Sequence, residues 1–227
     1  AGVNCSAFLG GISVNFGTNM LIGGSADPVV VEADEFDRSF LTLYPNIAAI
    51  TSMDADHLDI YGDFSEIKKS FNAFAAQVKD TVIAKNGLDY TQPITSKGLR
   101  YGFDKGNYYA ENTRVEEGSF YFDFVQQGGK RLDNIKMAVP GFHNIENAVA
   151  AMACCVEFGI PLEQLRIGTE TVYGAKRRFE YHKREGKTLL IDDYAHHPAE
   201  VEAFLKSVKA LYPDKKVTAI FQPHLFT

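Results

Sequence analysis

Residues Val29 to Tyr61 read VVVEADEFDRSFLTLYPNIAAITSMDADHLDIY, and the fold turns on how this stretch is read. Two short apolar runs sit in it, Val29-Val30-Val31 and Ile47-Ala48-Ala49-Ile50. Each is too short for a helix and ends abruptly in polar residues, the pattern of buried parallel strands covered on both faces. Glu32, Asp34, Glu35 and Asp37 follow the first run, and Asp54, Asp56, His57 and Asp59 follow the second. Ligands of open α/β sheets bind at the carboxyl ends of strands, so these acids are expected to converge on one crevice. Residues 32–63 hold eight acidic side chains against a single basic one, Arg38. Like charges this close raise one another's pKa unless a cation intervenes, and magnesium is a hard cation suited to oxygen ligands.

Other readings of the same residues stay open. Acidic loop residues are commonly just solvated, and aspartates after strands also cap helices. The pattern Asp54-x-Asp56-His57-x-Asp59 also suits a hydrolase that binds two metals, with His196-His197 as a second ligand pair.

Working outward, Ala1 to Gly24 is glycine-rich, with a short strand expected at Cys5 to Phe8. After the acidic stretch, a helix is expected from an N-cap at Ser65 to about Val78, with Ile67, Phe71, Phe74 and Val78 on one face. Thr81 to Ala84 reads as another strand. From Leu99 to Val139 apolar and polar residues alternate between turns, most clearly where Phe120, Phe122 and Phe124 oppose Tyr121, Asp123 and Val125. Asn144 suits the N-cap of a helix that buries Ile145, Val149, Met152 and Val156 and ends at Gly159; a second helix is expected from Pro161 to about Glu170. The charged run RRFEYHKREGK at 177–187 fits a boundary. Beyond it a strand at Thr188 to Ile191, a helix at Pro198 to Leu211 and a strand at Val217 to Phe221 spell a β-α-β unit. The fold class is therefore α/β: a mostly parallel central sheet flanked by helices, a small antiparallel subsheet, and a partial Rossmann-like β-α-β unit. Residues 1–180 are expected to form a central domain and 181–227 the start of a C-terminal one.

At 227 residues and 45% hydrophobic content, the chain can bury one substantial core and part of another. A net charge of −6 argues against a nucleic-acid partner. No apolar run approaches the ~20 residues that span a bilayer, so no membrane partner is expected. Three cysteines, with Cys154 and Cys155 adjacent, read as reduced core residues of a cytoplasmic protein. The pattern sets no oligomeric state.

Glu-Ala-Asp-Glu at 32–35, Ser-Phe-Leu at 39–41 and Asp-His-Leu-Asp-Ile-Tyr at 56–61 resemble the central domain of the Mur ligases. Four later segments agree in order: Gly141-Phe142-His143-Asn144 with Asn147, Arg177-Arg178-Phe179-Glu180, Asp192-Asp193-Tyr194-Ala195-His196-His197-Pro198, and Phe221-Gln222-Pro223-His224. The resemblance covers about 190 residues. It implies an enzyme of cell-wall peptidoglycan synthesis, an ATP-dependent carboxylate–amine ligase. In the alanine-adding branch, L-alanine joins UDP-N-acetylmuramate through an acyl phosphate. The family's phosphate-cradling Gly-x-x-Gly-Lys-Thr loop occurs nowhere in these residues, and it is expected upstream of Ala1. The chain alone is then expected to be inactive.

The resemblance also assigns roles. Glu32 is expected to hold the magnesium of the nucleotide phosphates, and His57 a second magnesium near the substrate carboxylate. Arg178 is expected to reach the terminal phosphate. Asn144 and Asn147 are expected beside the adenine, His143 among the residues that bind the nucleotide, and Asp193 near the ribose of ATP. Tyr194 and His196 line the substrate cleft with His57, and His224 lies near the incoming amino acid. Several relatives carry a carbamoylated lysine about fifteen residues after the histidine. Asn72 stands there in this chain, so a second metal must be held differently or more weakly. A ligase that reattaches recycled peptide to the same UDP-sugar shares much of this pattern. A non-catalytic nucleotide-binding module is a further alternative.

Overall fold

The computed structural model describes residues 2–53, 63–91 and 95–222. Strands β1 (Ser6–Phe8), β2 (Met20–Leu21) and β3 (Val29–Val31) form a small sheet of order β2-β1-β3, in which β3 runs parallel to β1. A 3-10 turn at Ser39–Thr42 leads to β4 (Ile47–Ile50) and helix α1 (Phe64–Gln77). Strands β5 (Thr81–Lys85), β6 (Lys97–Phe103), β7 (Tyr108–Glu116), β8 (Ser119–Gln126) and β9 (Lys130–Lys136) follow. Then come helices α2 (Phe142–Glu157) and α3 (Leu162–Thr171), strands β10 (Glu180–Lys183) and β11 (Leu190–Asp192), and helix α4 (Pro198–Leu211).

One sheet of order β4-β5-β6-β7-β8-β9 carries the core, parallel from β4 to β7 and antiparallel from β7 to β9. The antiparallel part thus continues the parallel one edge to edge. Parallel neighbours normally need a crossover of a dozen residues or more, yet residues 104–107 alone join β6 to β7. The chain doubles back there. Asp104 and Gly106 take positive φ, and the Asn107 N–H donates to the Arg100 carbonyl at 2.7 Å. A Cβ on Gly106 would stand 2.8 Å from that carbonyl oxygen, so only glycine fits the return.

Helices cover both faces of this sheet. On β5, Ile83 points to a core shared with α2, while Val82 and Ala84 point to one shared with α1. The first core contains Tyr101, Tyr108, Phe120, Phe122, Phe124, Ile145 and Val149. The second gathers Phe40, Ile50, Phe74 and Val78; Phe40 packs on the rings of Phe71 at 5.3 Å and Phe74 at 5.1 Å. The three phenylalanines of β8 have no exposed surface, as their alternation predicts. Each buried ring contributes about 1.5–3 kcal/mol.

The antiparallel strands end at β9, whose outer edge α3 seals with side chains. Arg166 donates to the carbonyls of Asp133 (2.8 Å) and Asn134 (3.4 Å), and Glu170 accepts the Lys136 N–H at 3.4 Å. Inside the same sheet, Asp123 accepts from Asn112 Nδ2 (2.8 Å), the Asn134 N–H (2.6 Å) and Arg131 (3.0 Å). Burial works to raise the Asp123 carboxyl. Those donors, with Arg114, outweigh it and hold the group below its ordinary value.

Several expectations need correction. Val29, Val30 and Val31 are 60%, 53% and 43% exposed, so β3 is not covered on both faces. Among the described residues it pairs only with β1, at the edge of the small sheet. In strand β4, Ala48 and Ile50 are buried on one face, and on the other Ile47 packs toward the α2 core while Ala49 is exposed, so the second face is only partly covered. Asp63, not Ser65, caps α1, because its carboxylate reaches the Ser65 and Glu66 N–H groups at 2.7 and 3.1 Å. Asn144 lies inside the first turn of α2, not at its cap, and its amide donates back to the Pro140 carbonyl at 2.6 Å.

The β-α-β unit is only partly formed. Its first strand pairs antiparallel with β10, its helix spans Pro198–Leu211 as expected, and residues 217–222 form no strand. A strand needs a neighbour for its backbone groups, and the described residues offer it none. The helix is nonetheless docked: Ser207 is fully buried and its hydroxyl accepts the Phe142 N–H at 3.2 Å. Phe204 packs on Phe179 at 5.3 Å, and the Tyr181 and Tyr212 hydroxyls meet at 2.8 Å. Cys5, Cys154 and Cys155 are free; burial pushes the Cys154 thiol up to about 12, which makes it an inert core group. No helix among the described residues is long and apolar enough to cross a membrane.

Candidate functional site

The site is assembled on the loop after β1. At its start, the Gly10 N–H donates to Glu32 Oε2 at 2.8 Å, just past the end of β3. A Cβ on Gly10 would stand 2.5 Å from Glu32 Oε1, so the bare backbone forms a cradle for that carboxylate. Next along the loop, the Lys176 N–H donates to the Ile12 carbonyl (3.0 Å), and Ser13 bridges to Ala175. The loop thereby ties Glu32 to the segment that carries Arg177 and Arg178.

That segment is strained and braced. Arg177 and Phe179 have φ values of 61° and 52°, in the left-handed region that costs a non-glycine residue energy. The Arg177 N–H donates to Glu180 at 2.8 Å, and its carbonyl accepts the Tyr194 N–H at 2.7 Å. Asp193 braces from the other side: Oδ2 accepts the Phe179 N–H (2.8 Å) and Oδ1 the Ala195 N–H (2.9 Å). Tyr194 is thus fixed with the Arg177 guanidinium 4.9 Å and the Arg178 guanidinium 5.8 Å from its ring centre, and the His196 ring at 5.2 Å. Cations near an aromatic face are a ready place for a further planar or anionic group.

His143 enters from the first turn of α2. Its Nδ1 is buried and has no hydrogen-bond partner among the described residues. Burial pushes the imidazole below its ordinary value; Asp193 opposes the shift and Arg178 adds to it. A neutral His143 therefore sits in the electrostatic neighbourhood of both. Asn147 lies one turn further along α2 and is exposed.

A cavity of about 330 Å3 opens at the carboxyl ends of β3 and β4. Ala33 and Glu35 border it on one side, Thr51 and Ser52 on another, and His197 and Glu200 close it from α4. The two strands belong to separate sheets, yet residues just past both of their carboxyl ends line this crevice; Asp54, Asp56, His57 and Asp59, the acids and histidine expected there after β4, lie outside the described residues. Asp34 accepts the Phe36 N–H (3.0 Å) and Asp37 the Ser39 N–H (2.9 Å), so each commits one carboxylate oxygen to the turn.

Arg178, Asp193, Tyr194 and His196, with His143 beside them, come together in one region; Glu32 joins it through the loop. Asn144 turns back to Pro140. His57 and His224 lie outside the described residues, as do Asp56 and Asp59. Asn72 accepts the Thr91 N–H at 2.8 Å, the role of a loop anchor. Glu200 escaped notice in the sequence. It accepts the N–H groups of His196 (3.1 Å) and His197 (3.2 Å), and His197-Pro198-x-Glu200 carries the three-residue spacing of a capping box. The donor set suits a magnesium-bound nucleotide. Glu32 keeps an oxygen beyond the Gly10 contact, on a backbone cradle, and Arg178 is exposed.

Residues 19–155 match the family model of the Mur ligase middle domain, and residues 177–224 that of the Mur ligase glutamate ligase domain. A UDP-N-acetylmuramate–L-alanine ligase of Christiangramia forsetii is 48% identical over 100% of this chain and 49% of its own length. One from Flavobacterium psychrophilum is 47% identical, over 100% of this chain and 50% of its own. The chain spans about half the length of the curated relatives it matches. The crystal structure of a UDP-N-acetylmuramate-alanine ligase from Thermotoga maritima superposes with a TM-score of 0.82 at 29% identity, over 97% of this chain and 51% of that one. A murein peptide ligase from Psychrobacter arcticus shares the fold, with a TM-score of 0.66 at 20% identity over 94% of this chain and 50% of that one.

Proposed function

This chain belongs to the Mur ligase family, and from that membership we propose that it is part of an ATP-dependent ligase joining L-alanine to UDP-N-acetylmuramate in peptidoglycan precursor synthesis. One observation carries the reading beyond the likeness of names. The strained Arg177–Phe179 turn is clamped by Asp193 against Tyr194, beside the first turn of α2. Residues 1–180 make up the nucleotide-binding part in this reading, and 181–227 begin the amino-acid-binding part. Three free cysteines accord with a cytoplasmic setting.

In the reaction proposed, a carboxylate oxygen of UDP-N-acetylmuramate attacks the γ-phosphorus of ATP. The bond to the β-γ bridging oxygen breaks, ADP leaves, and an acyl phosphate remains. The amine of L-alanine then attacks the acyl carbon, and inorganic phosphate departs with the electron pair while the amine loses a proton. Both steps depend on positioning and on stabilising phosphate charge. Glu32 and His57 would hold magnesium, which offsets that charge when bound. Arg178 supplies a permanent cation for the terminal phosphate, and the Asp193 clamp sets where its backbone stands. Asn144 and Asn147 would border the base, with His143 among the residues that bind the nucleotide and Asp193 near the ribose. Tyr194 and His196 would line the substrate cleft with His57, and His224 would neighbour the amino acid.

The test is UDP-N-acetylmuramate- and L-alanine-dependent ADP release by the full-length protein that carries this chain. Arg178→Ala should lower kcat about 100-fold or more, as loss of a group aimed at transition-state charge does. Unchanged turnover would remove Arg178 from the mechanism, and release that is independent of L-alanine would sink the reading. A preference for tripeptide over L-alanine would assign the recycling activity instead.

A further inference from the structure

Strands β10 and β11 carry a group of side chains to which the ligase reading assigns no contact with substrate, nucleotide or magnesium. Glu180 and Asp192 are direct cross-strand partners, and His182 follows Glu180 by two residues, at the irregularity in the pairing between Tyr181 and Lys183. Directly opposed side chains lie on one face of a sheet, which puts Glu180 and Asp192 together, and the irregularity brings the His182 ring to the same two carboxylates. One ligand atom from each lies within 4.8 Å of the other two, and His182 Nε2 is 3.5 Å from Asp192 Oδ2. They form the one such group among the described residues.

We propose that Glu180, His182 and Asp192 form a binding site for a divalent transition-metal ion of the zinc type, on the hairpin that joins the two flanks of the nucleotide site. One imidazole and two carboxylates are donors that zinc and cobalt accept, with a water completing four-fold coordination. Ligands about 2.1 Å from an ion stand roughly 3.4 Å apart in a tetrahedron, so the group must close by about an ångström. The Glu180 side chain, with three rotatable bonds, can supply that movement.

Charge favours the ion as well. Asp192 is paired here with Arg177, whose Nε stands 3.8 Å from Oδ2. Among the described residues Glu180 accepts the Arg177 backbone N–H through Oε2, which leaves Oε1 for an ion. An ion held by Asp192 competes with the Arg177 pair and frees that guanidinium toward Tyr194, on which it already lies. The strands so pinned lead directly into Arg178 on one side and Asp193 on the other. The proposal stands apart from the ligase reading, since it asks nothing of ATP.

The experiment is titration of the metal-free 227-residue chain with Co2+ and Zn2+, followed by cobalt d–d absorption, calorimetry and thermal unfolding. One equivalent is expected to bind, to give the absorption of four-coordinate cobalt and to raise Tm. Loss of a mere supporting partner of a metal site costs about 10–100-fold in affinity, so His182→Gln and Asp192→Asn should each cost about 100-fold. His196→Gln should leave binding unchanged. Circular dichroism and the metal-free Tm separate a folding failure from a lost ligand, and His182→Gln, at an exposed position, is the variant best placed to fold. Absence of binding at millimolar Zn2+ overturns the proposal. So does binding that survives both His182→Gln and Asp192→Asn, or that disappears with His196→Gln.

Discussion

Asp193 holds the backbone N–H of Phe179 at 2.8 Å across fourteen residues of chain. A carboxylate placed by sequence beside a nucleotide is therefore also a brace for the turn that presents Arg178. Asp193→Asn turns one acceptor into a donor facing another donor. Loss of a hydrogen bond to a charged group costs about 1.5–3 kcal/mol. We expect urea unfolding to show a loss of that size without any ligand; an unchanged midpoint would make Asp193 a nucleotide contact only.

Phe122 is fully buried on β8, and Phe122→Ala should cost about 3–5 kcal/mol. Ile220 is 98% exposed, and Ile220→Ala should stay within about 0.5 kcal/mol. Equal denaturation midpoints for the two variants would contradict the burial described.

Asp123 makes stability depend on pH. Its folded carboxyl lies below the unfolded value of about 3.9, so its contribution is complete above that value and is lost as pH falls through the lower folded one. Asp123→Asn should flatten the decline in stability between about pH 4 and the folded pKa. Urea unfolding of both proteins from pH 6 downward would show it, and parallel curves would refute it.

Ser207→Ala leaves the Phe142 N–H without its buried acceptor, at a cost of about 1–3 kcal/mol. The loss falls on the contact between α2 and α4, so limited proteolysis at Arg184 to Lys187 should speed up. Cleavage at the wild-type rate would mean that the hydroxyl contributes nothing to docking.

Much of this molecule was legible from local pattern. Phe120, Phe122 and Phe124 alternate as a strand must, and Pro198 to Leu211 marks its own helix with proline at the first position. What escaped depended on neighbours distant in sequence. Val29 to Val31 look like a doubly covered strand, yet what packs on a face is not written in the strand itself. The return at 104–107, which makes β7 parallel, rests on Asp104, Gly106 and one backbone bond to Arg100. In the site, family motifs marked Arg178, Asp193 and Tyr194, but no motif shows that both Asp193 oxygens bind backbone. Nor does their spacing show that Asp34 and Asp37 each bind the turn through one carboxylate oxygen.

Arg166 and Glu170 close the outer edge of β9 with side chains, and this sets an order of events during synthesis. The ribosome makes Lys136 about thirty residues before Arg166, and at roughly 5–20 residues per second the edge waits on the order of 1.5–6 seconds for its cover. In that interval a neighbouring nascent chain can add itself to the open strand. Arg166→Ala should therefore leave more insoluble product in chaperone-free translation, while the purified folded variant loses little stability. Equal yields would mean that the exposed interval is harmless. A lower soluble yield would show the arginine serving the chain chiefly at its birth, as a guard against its own copies.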